Sequence, residues 1–369
     1  MDKSRQTQSA GDNSTQMQAG TINYNVTFTG IDEAAARRIC QQEYAIARLN
    51  WTEEAVKIAD DRVRQLENKL MPKMIEYDST LSIFADPAFQ LTIREAQISA
   101  AASERESDYE MLSELMLHRA QHNDDRTKRL GISEAIKIVD KVSDEALVAL
   151  ATIYAMIRFS PMSDDTMEGL NVLNNLFKSI LDRFTLPANN DWEEHLDLLS
   201  AIRIGYQEIS QFKKAKDWIP LKLKKYLVSG VLDDSPELRK VKDDFCRCGI
   251  PLTCIIPHPL KPGYVRLNNS LTIEDMRIIQ VRGSVTIESP LNIEQKEAMK
   301  KAIEILRKDE SNNETMKAQI INEWDKFPIL KTIHTWWDSL TGFVTITPVG
   351  MALANAYIKS KYPNIPSLY

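Results

Sequence analysis

The chain has 369 residues, 43% hydrophobic and 27% charged, which suits two or three soluble globular domains. A net charge of −6 disfavours nonspecific nucleic-acid binding by the protein as a whole, and four cysteines in this length point to reduced thiols, not a disulfide framework. The longest nearly unbroken apolar run, residues 146–157, is too short to cross a bilayer and reads as a helix buried on all sides.

The opening residues, "MDKSRQTQSAGDNSTQ", contain no apolar stretch that could act as a secretory leader, so the cytoplasm is the expected location. Ala10-Gly11 and Ala19-Gly20 punctuate residues 8–30 as two short units separated by a glycine turn. In the second unit Ile22, Tyr24, Val26 and Phe28 alternate with polar residues, the period of a strand with one dry face. A disordered tail is the competing reading for residues 1–18, which are rich in Asn, Gln, Ser and Thr. Since the next stretch of chain is helical, the strand needs partners from elsewhere. Equivalent strands of further copies supply them most economically, and residues 1–30 are expected to drive self-assembly.

Helical signals begin at Asp32, a cap preceded by Ile31, and resume at the cap Thr52. Val56, Ala59, Val63, Leu66 and Leu70 then fall at spacings of three and four, a coiled-coil seam, before Pro72 kinks or ends the helix. Val56, Val63, Leu66 and Leu70 are therefore candidate oligomerisation residues. A second long helix is expected from Pro87, with Ile98, Ala102, Arg105, Tyr109, Leu112 and Met116 on one face and Arg105 as its polar interruption. Residues 31–122 thus read as a long helical hairpin whose seam either closes within the chain or faces another subunit.

The charged, glycine-ended stretch 123–131 marks a boundary, and 131–250 reads as a helical domain with Ser143 capping the apolar run. Within it "WEEHLDLLSAIRIGYQEI" reads as helix throughout and "GVLDDSPELRKVKDDFCRCG" as a surface helix. Residues 251–369 read as a small α+β domain, with strand candidates "LTCII", "YVRL" and "RGSVTIE". From about 318 onward the order helix, helix, strand "GFVTIT", helix resembles the ending of winged-helix domains. A DNA-binding regulator is accordingly the alternative function. Few basic residues accompany the preceding helices, and Trp336 and Trp337 fit a core or a partner interface better than a groove-reading helix. The fold class expected is mainly α, with an N-terminal β-segment and a small α+β C-terminal region.

Chemistry-bearing motifs are sparse. Cys246, Cys248, Cys254 and His258 cluster in sequence, but their spacing does not match paired zinc ligands, and buried free thiols are the favoured reading. His118 and His122 lie four apart, yet Arg119 stands where a zincin motif needs glutamate, so solvent-facing histidines near a helix end are expected. No phosphate-cradling glycine loop or nucleophile elbow occurs. An enzyme is unsupported, and no cofactor or metal is expected.

The stretch "AGDNSTQMQAGTINYNVTFTGI" running into "DEAAARRI", the segment "EAIKIVDKVSDEALVAL" and the ending "TPVGMALANA" together resemble an uncharacterised bacterial protein family. Its shared feature is an Asn/Gly-rich "AGDNS…QAG" β-segment. The resemblance touches both ends and the middle of the chain. It implies an association with phage-defence neighbourhoods and transfers no catalytic residue. The function expected is a self-assembling cytoplasmic scaffold or sensor, with itself and another protein as partners and no membrane.

Overall fold

The computed structural model describes residues 31–48, 51–205, 213–268, 272–282, 285–341, 343–363 and 365. Ile22, Tyr24, Val26 and Phe28, the expected assembly strand, lie outside the described residues. The chain is mainly helical, with small antiparallel sheets assembled from the middle and C-terminal parts.

Helices begin where local chemistry satisfies their first amides. Asp32 accepts from Ala35 N at the start of α1 (Glu33–Ala47), and Thr52 does the same for Ala55 N in α2 (Glu53–Tyr77). α2 passes through Pro72 unbroken. The missing amide forfeits one bond, while Leu70, Met71 and Met74 stay buried on either side. Asp86 caps α3 (Pro87–Ala102).

The helix expected to run on from α3 stops at Ser103, and α4 (Glu106–Gln121) starts afresh. Arg105 is the reason. Its guanidinium pairs with Asp108 at 3.0 Å, donates to Val139 O at 2.8 Å and meets Asp144 at 2.9 Å, while Ser103 Oγ donates to Asp108. A residue that reads as a flaw in an apolar face is the bolt joining the hairpin to the helical body beyond it. α4 is then buried along almost its whole length, which only a helix at the centre of a body can be.

α5 (Arg126–Ile136) packs on it, and α6 (Asp144–Arg158) follows, packed on α7 (Thr166–Leu181) and α8 (Asp191–Leu198). α5 begins inside the charged stretch expected to be a break and carries Gly131 on its buried side. α6, capped by Ser143, is buried continuously from Ala146 to Met156, as its unbroken apolar run requires. After α8 the chain turns at Ser200, with a φ of 60°, into strand β1 (Ile202–Gly205), where the sequence reads as more helix. Next comes α9 (Ala215–Lys222).

An insertion comes after α9. Strand β2 (Val231–Leu232), α10 (Pro236–Cys248), β3 (Ile255–Pro257), β4 (Tyr264–Leu267), β5 (Arg277–Arg282), β6 (Val285–Pro290) and α11 (Ile293–Leu306) share a separate core around Leu238, Phe245, Leu267 and Met299. The expected boundary at 250/251 falls inside this core. Sheet order is β2-β4-β3, with β5 and β6 pairing apart. The two crossings between insertion and main body are zipped side by side: Val228 bridges Asp309, Ser229 N donates to Lys308 O at 2.9 Å, and Glu310 N to Leu227 O at 2.9 Å.

The chain then rejoins the main core through α12 (Glu314–Asp325), α13 (Pro328–Ser339), β7 (Phe343–Ile346) and α14 (Pro348–Lys361). The strand and final helix expected at this end are present, but the partner of β7 is β1, with Ile202 opposite Ile346 and Gly205 opposite Phe343. α14 packs on α4, α5, α6 and α7, burying Gly350 and every residue from Ala352 to Ile358. The "TPVG" motif makes this docking possible. Thr347 Oγ1 accepts from Gly350 N and donates to Ser200 O at 2.7 Å, Pro348 fills the first turn, and Gly350 lies against Ala201, where a Cβ would stand 2.0 Å from the carbonyl oxygen.

Candidate functional site

Where the end of α6, the start of α9, α13, β7 and the first turn of α14 meet, they leave an open cleft of about 420 Å³. Two indoles form much of its lining. Trp218 and Trp337 stack with ring centroids 5.8 Å apart and planes 22° from parallel. Both indole N–H groups are engaged elsewhere, Trp218 Nε1 donating to Met156 O at 3.2 Å and Trp337 Nε1 to Lys213 O at 2.8 Å. What the indoles present to the cleft is ring surface.

The walls are tied together by the same elements. Lys222, one turn beyond Trp218, sends its ammonium to the last carbonyls of α6, Ala155 at 3.1 Å, Met156 at 3.0 Å and Phe159. Burial pulls the Lys222 pKa down to about 7, while the negative end of α6 favours its charge. Asp338 accepts from Ala215 N at 2.7 Å and so fixes the start of α9 to the end of α13. β7 is held by β1. A cleft cross-tied in this way is pre-formed, the usual condition of a small-molecule site.

Polar groups in the cleft are few and specific. Tyr154, on α6, is 1% exposed, and its hydroxyl donates to no described residue, with the Arg158 guanidinium beside its oxygen. Burial raises its pKa, and the Arg158 guanidinium one turn later acts in the opposite sense. Arg158 itself reaches Met351 Sδ at 3.6 Å. Lys213 and Thr345 are exposed at the rim, and Ile157, Val344 and Ile346 complete the apolar lining.

Of the site candidates singled out from sequence, and among the described residues, the structure brings only Trp337 to this cleft. Its neighbour Trp336 turns the other way, packs against Trp192 with centroids 6.0 Å apart, and donates to Pro187 O at 2.9 Å. Both are buried in the chain's own core. Val63, Leu66 and Leu70 are buried as well, with α2 packed on α3 and α4, and Val56 is half-buried. The seam therefore closes within the chain, and those three side chains are not free for another subunit.

The histidine pair is corrected in one respect: His118 is fully buried beneath α14, not solvent-facing, and burial with the nearby Lys359 lowers its pKa to about 4. His122 stays half-buried, its Nδ1 3.0 Å from His118 O. The three clustered cysteines are free thiols as expected but are not buried, Cys248 and Cys254 being half-exposed. Cys246 is exposed, Cys254 Sγ donates to Pro251 O at 2.9 Å, and both ring nitrogens of His258 are used, Nε2 at 2.9 Å from Val228 O and Nδ1 accepting from Leu260 N. Among the described residues, no group of three His, Cys, Asp or Glu is placed to hold a metal ion. Nor is any helix among them long and apolar enough to cross a membrane.

Tyr154, Arg158, Lys213 and Trp218 were not distinguished in the sequence. Tyr154 sits inside an apolar run that reads as core, and the other three lie in segments with no motif.

No curated protein and no solved structure matches the chain. A family model described only as ":-like" matches residues 30–367, nearly the whole length, and the chain belongs to that family.

Proposed function

We propose that this protein is a self-assembling sensor whose input is a small molecule held in the cleft between α6, α9, α13 and β7. The observation that carries the reading is the cleft itself: two stacked indoles with their N–H groups spent elsewhere, walls cross-tied by Lys222 and Asp338, and a buried phenol whose O–H donates to no described residue. The output is self-association through residues 21–28, supported by the alternation of Ile22, Tyr24, Val26 and Phe28. Val63, Leu66 and Leu70 are consumed within the chain, which favours the N-terminal strand over those three residues as the assembling element. The resemblance at both ends of the sequence supports a setting in bacterial anti-phage defence.

The input is tested with a neutral fluorescent arene, N-phenyl-1-naphthylamine. It should bind the full chain saturably, and Thr345→Trp, which adds a ring at the rim, should block it. Binding undiminished in that variant overturns the assignment of the cleft. The output is tested by light scattering: removal of residues 1–29 should yield smaller species that remain helical by circular dichroism. A monomeric full-length protein overturns it.

A further inference from the structure

We infer that the ligand of the cleft is a planar aromatic acid, its ring laid on the Trp218–Trp337 surface and its acidic group received by Tyr154 Oη and the Arg158 guanidinium. The inference rests on the sensor reading and adds the chemistry of the input. It follows from the balance of polar groups. The residues lining the cleft include two cations, Arg158 and Lys213, and no carboxylate. Neither cation forms an ion pair among the described residues. Asp338, on the same helix as Trp337, is turned away to Ala215 N at 2.7 Å and to His334 at 3.5 Å.

The two groups that could bind a ligand most specifically are adjacent. Tyr154 and Arg158 stand one turn apart on the last turns of α6, both line the cleft, and the guanidinium is close enough to act on the phenol's ionisation. With its oxygen toward the guanidinium, which can only donate, the phenol keeps its O–H as a donor for a third group. A buried donor left unmatched is costly, and an anion supplies the acceptor that the protein does not. The rest of the lining is apolar or aromatic, which selects a flat ring over a sugar or a peptide.

The test compares two probes that share one ring system, 8-anilinonaphthalene-1-sulfonate and its uncharged counterpart N-phenyl-1-naphthylamine, on the full chain at low salt. The sulfonate should bind about tenfold more tightly, the worth of one charge-assisted hydrogen bond. Arg158→Gln combined with Lys213→Gln should remove that advantage and leave the neutral probe unaffected. Tyr154→Phe, which deletes a hydroxyl that donates to no described residue, should weaken the sulfonate alone by about threefold to fivefold without lowering the melting temperature. Equal binding of the two probes, or indifference of the sulfonate to the charge and phenol variants, overturns the acidic ligand while leaving the cleft as a site. Failure of both probes to bind, or binding that Thr345→Trp does not block, overturns the sensor reading and this inference with it.

Discussion

The main body and the insertion solve the same problem, burying apolar surface, at different ranges along the chain. In the insertion the elements that share a core succeed one another closely, and β3 and β4 pair across a single short turn. In the main body the centre is α14, the last helix, packed on α4, α5, α6 and α7, and its strand β7 pairs with β1 from the middle of the chain. The main body therefore cannot close until its C-terminus is in place, whereas the insertion needs only its own residues and a bridged neck at Val228 and Asp309. The cleft lies where the long-range closure is made. Under the proposed reading, a ligand held there would act on the contacts that hold the end of the chain to the rest.

The sharpest way to break this contrast is to hollow each core in turn. Trp336→Ala should cost the main body about 3–5 kcal/mol and lower the denaturation midpoint of the whole chain. Phe245→Ala, a truncation of comparable size in the insertion, should expose the amides of residues 231–306 to hydrogen exchange while those of α4 and α14 stay protected. Simultaneous loss of protection in both would show one cooperative unit and end the comparison.

Next come the glycines. Gly350→Val drives a branched side chain into the Ala201 carbonyl, so the docking of α14 should weaken by about 2–3 kcal/mol, read from chemical denaturation. In the insertion, Gly249 closes α10 with a φ of 71° and open space around its Cβ position, and Gly249→Ala should cost only about 1 kcal/mol, from backbone strain alone. Equal losses at the two sites would contradict the close approach seen at Gly350.

A smaller, pH-dependent effect belongs to the main body. Glu193 is buried, its Oε1 has no hydrogen-bond partner among the described residues, and burial raises its pKa. The folded state then holds this proton more tightly than the unfolded chain does. Its contribution is most favourable below the ordinary carboxylate pKa of about 4 and is lost as pH rises through the raised value. Glu193→Gln should therefore stabilise the protein at neutral pH by about 1 kcal/mol, and the gain should vanish in acid. A gain that is the same at both pH values would place the effect in packing instead of ionisation.

The sequence by itself determined where most helices begin, since Asp32, Thr52 and Ser143 act on amides only three residues away and Pro87 sets its own backbone angle. It also determined that residues 146–156 are core, because a run without polar positions has no face to give to water, although Ile157, the last residue of that run, is exposed. The strand candidate "YVRL" was legible for a similar reason, as a β-branched run near prolines and glycines, whereas "RGSVTIE", read as one strand, covers the end of β5 and the start of β6. Only the tertiary structure decided that "AIRIG" is a strand, for its partner is "FVTI" far along the chain, and nothing within its own neighbourhood distinguishes it from a continued helix. Arg105 likewise looked like an interruption until Asp108, Asp144 and the Val139 carbonyl stood around it. The cleft belongs to the same class. Trp337 and Trp336 are neighbours in sequence with identical chemistry, and which of them lines the cleft was settled by Trp218, Tyr154 and Arg158, residues that Trp337 joins only after the chain has closed.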